Sequence, residues 1–562
     1  MTRRLAPFVL SLILAAGLWP AAAGGGLASI SADEMSQWLA QVSSDEMQGR
    51  AIYSSGLGLA AGYIQDHLRR WNIRPAGDAG YLQTVRVLSV RATSRSTVTV
   101  QVGRETRTFA DGEGVMLPRF QGGKQRVVAS RVEFVGYGLD VPAAGHVDYR
   151  SKDVKDAAVV YLGASGPKGF DSSTYRQLLT GRSRYAVDER RAVASIGAST
   201  MASSTASETG RGATSTSSGR SGQTGNAGAE FTTARRLDQA VAPAVGASDA
   251  FLTFLFSRAP VGYDELKRKA AAQEPLPSFR LDDVRVTFDI DVDYAVVRTQ
   301  LTHNIVGIVE GSDERLKASH VALGAHYDHI GYAERAAEPA NERPPGAPGR
   351  MTPGTGADRI WNGADDNGSG TVALMALARA FAEGVRPKRS LLFIWHTGEE
   401  TGLYGSRYFA DYPTVPLDSI VAQLNLDMIG RNRNDDPNES GTVYLIGSDR
   451  ISSELHDISR AANRALPRPL KLDYELNDPS DPEQLYYRSD HYSYAAKGIP
   501  VIFFTTGLHS DYHANTDEVS KIDFDKLVRI TGLIYETSAR LANLDHGPAR
   551  DHRGARAGKG TP

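Results

Sequence analysis

The sequence predicts an α/β fold, a mixed central sheet flanked by helices, with a β-rich domain inserted into it. Three observations predict this. From about residue 303 onward, apolar strand-like runs alternate with helical stretches, the order expected of a sheet sandwiched between helices. Between roughly residues 89 and 293 the pattern changes to short β-branched runs separated by glycines. The 562 residues, 41% of them hydrophobic, exceed what one core holds, since single cores stop growing at about 250–300 residues.

The first residues, Met1-Thr2-Arg3-Arg4, an apolar stretch from Leu5 to Leu18, and Pro20-Ala21-Ala22-Ala23-Gly24, have the charged, apolar and small-residue regions of a secretory signal. Residues 1–23 are therefore expected to be a signal peptide cleaved near Ala23. The apolar run is short for a bilayer span of about 20 residues, so no membrane attachment is expected after cleavage. The chain has no cysteine, which rules out disulfide staples and thiolate chemistry, and an exported bacterial protein, periplasmic or secreted, fits. A net charge of −2 gives no broad attraction for nucleic acid or an anionic membrane. The expected partner is a small or peptide-like substrate.

Residues 24–110 are expected to form the first part of the main domain. They contain two helical patterns, the second placing Ala60, Ile64, Leu68 and Trp71 on one face. Gly56, Gly58 and Gly62 lack a preceding strand and the spacing of a nucleotide-binding loop, so they read as a loop leading into that helix. The inserted β-rich domain is placed at 111–293, with β-like runs at 97–102, 132–135 and 158–162 at or near it. Within it, residues 203–228 are mostly Ser, Thr, Gly and Ala and cannot offset their ordering entropy by burial, so a disordered loop is expected. Residues 294–545 carry the remaining sheet, with strands expected at 320–325, 391–395, 420–426, 442–446 and 500–504 and helices at 370–382 and 522–541. Residues 546–562, rich in Gly and Arg, read as a disordered tail.

Five segments of the second half place an acid or a histidine beside an apolar run. They are Gly324 to Asp328, Asn362 to Asn367, His396 to Glu400, Leu424 to Asp427, and Asp511 to His513. Alone, each has an ordinary reading: a strand-end histidine, a turn, a solvated acidic pair. Their agreement is what carries weight, because acids at the ends of buried runs are costly unless something positive sits beside them. Imidazoles and carboxylates without thiolates suit zinc or another divalent cation. Two such ions need a shared carboxylate, and one of Asp365 and Asp366 can supply it. His326 and Asp427 complete one ion; Glu400 completes the other with a histidine drawn from His491, His509 and His513. Glu399, next to a ligand yet free, is placed to move a proton, and Asp328 to orient the His326 ring.

Four segments, Gly324-Ala325-His326-Tyr327-Asp328-His329-Ile330-Gly331, Asn362 to Gly370, Gly398-Glu399-Glu400-x-Gly402 and Asn425 to Gly430, closely resemble the secreted dinuclear-zinc aminopeptidases, relatives of glutamate carboxypeptidase and the transferrin receptor. The closing stretch His513-Ala514-Asn515-Thr516-Asp517 resembles them too. The resemblance implies two Zn2+ ions, with Asp365 bridging and Asp366 following across a cis peptide bond. It implies His326, Glu400, Asp427 and His513 as terminal ligands, Glu399 as general base and Tyr512 as oxyanion donor. Ser489-Asp490-His491 then lines the site without binding metal. Ser43 to Arg50 resembles the family's N-terminal segment. Phe134 to Gly138 and Tyr149 to Leu162 resemble a protease-associated domain inserted into a zinc-peptidase fold. The implied activity is removal of N-terminal residues from peptides. The alternatives are a carboxypeptidase or dipeptidase on the same core, a silent binding protein of the same fold, and single-metal acyl transfer, which would not need His326 and Asp427. The Pro/Gly/Arg-rich loop 333–358 departs from the family pattern.

Overall fold

The computed structural model describes residues 26–150, 152–198, 230–333, 346–352, 354–355 and 358–551. The expected signal peptide and the segment 203–228 lie outside these residues. The first of two ten-stranded sheets contains β1 (Leu82–Ser94), β2 (Val292–Val309), β3 (His320–His326), β4 (Ser390–His396), β5 (Ile420–Leu426), β6 (Thr442–Ile446) and β7 (Val501–Thr505). Their spatial order is β1-β2-β4-β3-β5-β7-β6, with Glu230–Thr232 outside β1 and Lys471–Asp473 outside β6. β4, β3, β5 and β7 run parallel, whereas β2 and β6 join this block antiparallel. The sheet is mixed, as the sequence predicts.

The parallel strands are apolar almost throughout because both of their faces are covered; every residue of β3 and β4 is buried. One face packs against α1 (Ala32–Val42), α2 (Ser55–Arg70), α3 (Gly370–Glu383) and α6 (Phe524–Asn543), through Met35, Leu39, Ile64, Leu377 and Leu533 among others. The other is covered by α4 (Tyr404–Asp411) and the Tyr486–Tyr494 region, with Phe409 and Tyr494 inward. Between them in the chain, α5 (Ser453–Ala465) packs beside α6. The helix starts are written in the sequence: Ser31 accepts from the Glu34 N–H at the head of α1, and Asp523 from the Lys526 N–H at the head of α6.

The second sheet begins with Thr97–Val102, ahead of the boundary expected at residue 111, and closes with Val284–Ile290. Its centre is parallel, built from Val132–Val135, Ala158–Tyr161, Ala194–Ala198 and Ala244–Ala247. It has its own core around Val98, Phe134, Val160, Ile196, Phe251 and Phe288. The boundary moves because β1 and β2 form one ribbon, paired from Leu82 with Ile305 to Ser94 with Val292, and the chain enters the second sheet only at its tip. The tail also begins later than expected. Residues 546–551 return to the head of α5, where His546 and Ala549 bond Glu454 and the Ser453 N–H donates to Asp551. Among the described residues, no helix is long and apolar enough to cross a membrane.

Candidate metal centre

The parallel strands deliver the predicted side chains to one edge of the sheet, where sites of open α/β folds form. His326 ends β3, Glu399 and Glu400 follow β4, Asp427 follows β5, and His509 and His513 follow β7. Asp365 and Asp366 lie in the turn that opens α3, entered through Gly363 at φ 55. A Cβ on Gly363 would stand 2.3 Å from the Asp366 carbonyl oxygen, so the turn needs glycine there.

Two imidazoles face each other across a single carboxylate. The Nδ1 of His326 lies 3.1 Å from the main-chain oxygen of Asp328, and the Nδ1 of His513 lies 2.9 Å from that of Gly346. A carbonyl only accepts, so each Nδ1 carries the proton and, in the neutral ring, each Nε2 presents a lone pair. The Nε2 of His326 then looks at Asp366 Oδ1 at 3.3 Å and Asp427 Oδ1 at 3.4 Å. The Nε2 of His513 looks at Asp366 Oδ2 at 3.3 Å and Glu400 Oε2 at 3.1 Å. Lone pairs aimed at carboxylates repel unless a cation lies between them. The side chains of His326, Asp366, Asp427, Glu400 and His513 are at most 10% exposed, and Asp366 Oδ2 is buried without a hydrogen-bond partner. This donor set suits a divalent metal, and ligand atoms of His326, Asp366 and Glu400 all lie within 4.8 Å of one another.

Electrostatics supports that reading. In the protein alone, burial opposes charge on His513, but Glu400 and Asp366 outweigh it and push the imidazole up to about 10. Burial and Asp366 raise Glu400, yet His513 and His329 hold its carboxyl at about 2. Burial lifts Glu399 well above the usual carboxylate range against the pull of His326, with Glu400 and Asp427 adding to the rise. Such a concentration of negative charge is one that divalent cations would discharge.

The position between the two imidazoles belongs to Asp366, not to Asp365 as the resemblance implied. Asp365 turns the other way: its Oδ1 accepts from the Gly430 N–H at 2.7 Å and its Oδ2 lies 3.3 Å from His509 Nε2. The cis peptide bond likewise joins Asp366 to Asn367 rather than Asp365 to Asp366. The cause is the buried carboxylate of Asp517, which accepts the N–H of Asp365 (3.0 and 3.1 Å) and of Asp366 (2.9 Å). That grip fixes the backbone so that the two side chains diverge. Asp328 meets the His326 ring through its main chain. Its main-chain oxygen, rather than its carboxylate, holds the His326 ring, while the carboxylate stands 3.8 Å away and accepts the Glu399 N–H at 3.2 Å. Burial pushes that carboxyl up to about 7.

Tyr512 stacks on His513 with ring centroids 3.8 Å apart, and its hydroxyl accepts from Arg488 Nη2 at 3.2 Å. It shares a pocket with Glu399, Asp366 and Asp427. His491 stays away from the cluster, fully buried and stacked on Phe503 at 4.8 Å.

Sequence reasoning passed over several residues here. His329 Nδ1 lies 2.7 Å from Glu400 Oε1, and its signal was the second histidine of His326-Tyr327-Asp328-His329. Arg50 is fully buried, and its guanidinium donates to the carbonyls of Val42, Tyr327, Asn362 and Gly363 at 2.7–3.0 Å. It thereby ties the loop after His326 to the turn before Asp366. A lone arginine in an N-terminal segment gives no such indication in sequence.

The buried neutral His491 sets a testable pH dependence. Burial depresses its pKa from the ordinary 6.5 to about 3, so it stays neutral in the fold but protonates in the unfolded chain below pH 6.5. Its contribution to stability is present above pH 6.5 and lost as pH falls towards 3, at about 1.4 kcal/mol for each unit. His491→Phe should therefore flatten the decline of stability between pH 7 and 5 by about 2 kcal/mol in urea unfolding. Identical declines in the two proteins would refute it.

A mixed α/β sheet whose parallel strands end in a shared imidazole–carboxylate cluster defines a metal-binding α/β domain. The profile of Peptidase family M28 matches residues 304–538. Among curated proteins, the chain is similar to a probable leucine aminopeptidase of Arthroderma otae (strain ATCC MYA-4605 / CBS 113480), at 28% identity over 256 residues, 43% of this chain and 58% of that one. It is also similar to leucine aminopeptidase 1 of Trichophyton equinum, at 26% identity over 250 residues, with the same 43% and 58% coverage. The match thus spans little more than half the length of these relatives. Among solved structures, it resembles an aminopeptidase from Aneurinibacillus sp. strain AM-1, at 17% identity, covering 94% of this chain and 97% of that one with a TM-score of 0.43.

Proposed function

We propose that this protein is an exported metallo-aminopeptidase that holds two Zn2+ ions and removes N-terminal residues from peptides. The observation that carries the reading is Asp366, which offers one oxygen to each of two imidazole–carboxylate sets beside an unligated Glu399. His326 and Asp427 would hold one ion, His513 and Glu400 the other, and Asp366 both. Bound zinc would polarise the scissile carbonyl and lower the pKa of water.

The chain's own groups supply the rest. Glu399, raised by burial and held at its N–H by Asp328, accepts the proton of the attacking water and returns it to the leaving amine. The Tyr512 hydroxyl accepts from Arg488, which leaves its own proton free to donate to the developing oxyanion. Asp366, Glu399 and Asp427 line the pocket with carboxylates, while its arginine, Arg488, is already engaged by Glu483 and Tyr512. With that guanidinium engaged, it is not free to grip a substrate's terminal carboxylate, so an aminopeptidase fits better than a carboxypeptidase. Met428, Leu485, Phe503 and Leu508 give the pocket an apolar wall, which suits leucine-like side chains. The signal-like residues 1–23 support export, and the second sheet is read as a protease-associated domain.

A panel of aminoacyl p-nitroanilides tests this. Leucyl and phenylalanyl substrates should be cleaved faster than aspartyl ones, activity should vanish on chelation and return with Zn2+, and N-acetylation should abolish it. Equal cleavage of N-blocked peptides from their C-termini would replace this reading with the carboxypeptidase.

A further inference from the structure

The second sheet's domain reaches back to the pocket through one helical segment, 182–189. The Glu189 carboxylate accepts from Arg450 Nη1 at 2.8 Å and from the Tyr487 hydroxyl, and the Glu189 and Arg450 side chains are 10% and 7% exposed. Asp188 accepts from the Tyr492 hydroxyl at 2.8 Å, and the Arg184 guanidinium lies 4.0 Å from the centre of the Tyr487 ring. Arg450 itself is packed over the Tyr486 ring at 3.9 Å and bonded to Asn477. Buried charges pay a desolvation cost that an apolar contact of the same size would avoid. What directional bonds to two tyrosine hydroxyls and a guanidinium add is a fixed placement of the segment they grip.

That segment runs straight into the pocket. Tyr487 is followed by Arg488, which donates to the Tyr512 hydroxyl at 3.2 Å, and by Ser489, whose hydroxyl donates to Asp427 Oδ2 at 2.6 Å. Asn425 in turn donates to Ser489 at 2.8 Å. Leu485, on the other side, is part of the apolar wall.

We propose that the inserted domain acts on the reaction through this contact. Glu189 is a positioning residue, with Asp188 beside it, that holds 485–489 so that Arg488 and Ser489 set Tyr512 and Asp427 in place. The inference rests on the peptidase reading above.

The test uses the full-length protein with Glu189→Gln and the milder Tyr487→Phe, which removes one hydroxyl of the same contact. Each should lower kcat for a leucyl substrate by about tenfold with zinc content near that of the wild type; Tyr487→Phe should keep the wild-type melting temperature, whereas Glu189→Gln, which leaves Arg450 buried without its carboxylate, should lower it. In a Tyr512→Phe background the same substitutions should cost clearly less, because the route through Arg488 ends on that hydroxyl and only the share carried by Ser489 and Asp427 remains. Should Glu189→Gln fail to fold, Tyr487→Phe carries the test. Turnover within twofold of wild type, or equal losses in both backgrounds, would overturn the proposal while leaving the peptidase standing. A wild type inert towards every aminoacyl substrate would instead bring down the reading on which it rests.

Discussion

On the proposed function, Asp366→Asn removes the carboxylate offered to both imidazole–carboxylate sets and should cost the bound metal and roughly 10³-fold or more in turnover, the equivalent of several kcal/mol of lost transition-state stabilisation. The neighbouring Asp365→Asn should behave differently. It weakens a grip on Gly430 and His509 but leaves both imidazole–carboxylate sets intact, so a loss of about 10–100-fold is expected, with metal largely retained. Metal analysis of the purified variants and Co2+ titration followed by visible absorption read the difference without relying on activity. If Asp365→Asn loses its metal and Asp366→Asn keeps it, the assignment drawn from the geometry is reversed.

Glu399→Gln should reduce turnover by about 10²–10⁴-fold with metal retained. The carboxylate lies in the pocket, and no ion pair ties it to either imidazole. Its amide keeps the shape but cannot take up a proton. Since its N–H is fixed by Asp328 rather than by its side chain, the loop carrying Glu400 should remain in place. The expected signature is a fall in kcat with little change in KM. A variant that turned over at near-normal rates would remove Glu399 from the proton transfer.

The sheet was legible because fully covered parallel strands read as unbroken apolar runs. Strands 420–426 and 442–446 fall where the sequence puts them, and β3, β4 and β7 within a residue of their expected ends. Acids and histidines directly after those runs exposed the cluster. The choice between Asp365 and Asp366 was not legible, since adjacent identical side chains differ only in backbone direction, and Asp517, about 150 positions away, sets that direction. That Asp328 meets the His326 ring through its main-chain oxygen was not legible either, because a main-chain oxygen carries no sequence signal. The edge of the inserted domain was blurred because alternation in β1 runs on through Thr97–Val102 without a break, although the two stretches belong to different sheets. Arg50 and Asp517 act by tying loops together, which only three dimensions reveal.

The ribbon of β1 and β2 has one more consequence. Ser94 and Val292 are partners, and the Arg95 N–H donates to the Asp291 carbonyl at 2.7 Å, so the chain departs and returns at adjoining points. A two-residue reverse turn placed there would close an ordinary hairpin. Apart from Glu230–Thr232, which returns to pair with β1 at the edge of the first sheet, the nearly two hundred residues in between are thus, topologically, an ornament on a turn that leaves the order of the seven main strands unchanged. Circularly permuted or truncated chains with new junctions at that tip should keep the seven main strands in the same order, and whatever they lose will measure what the ornament gives back.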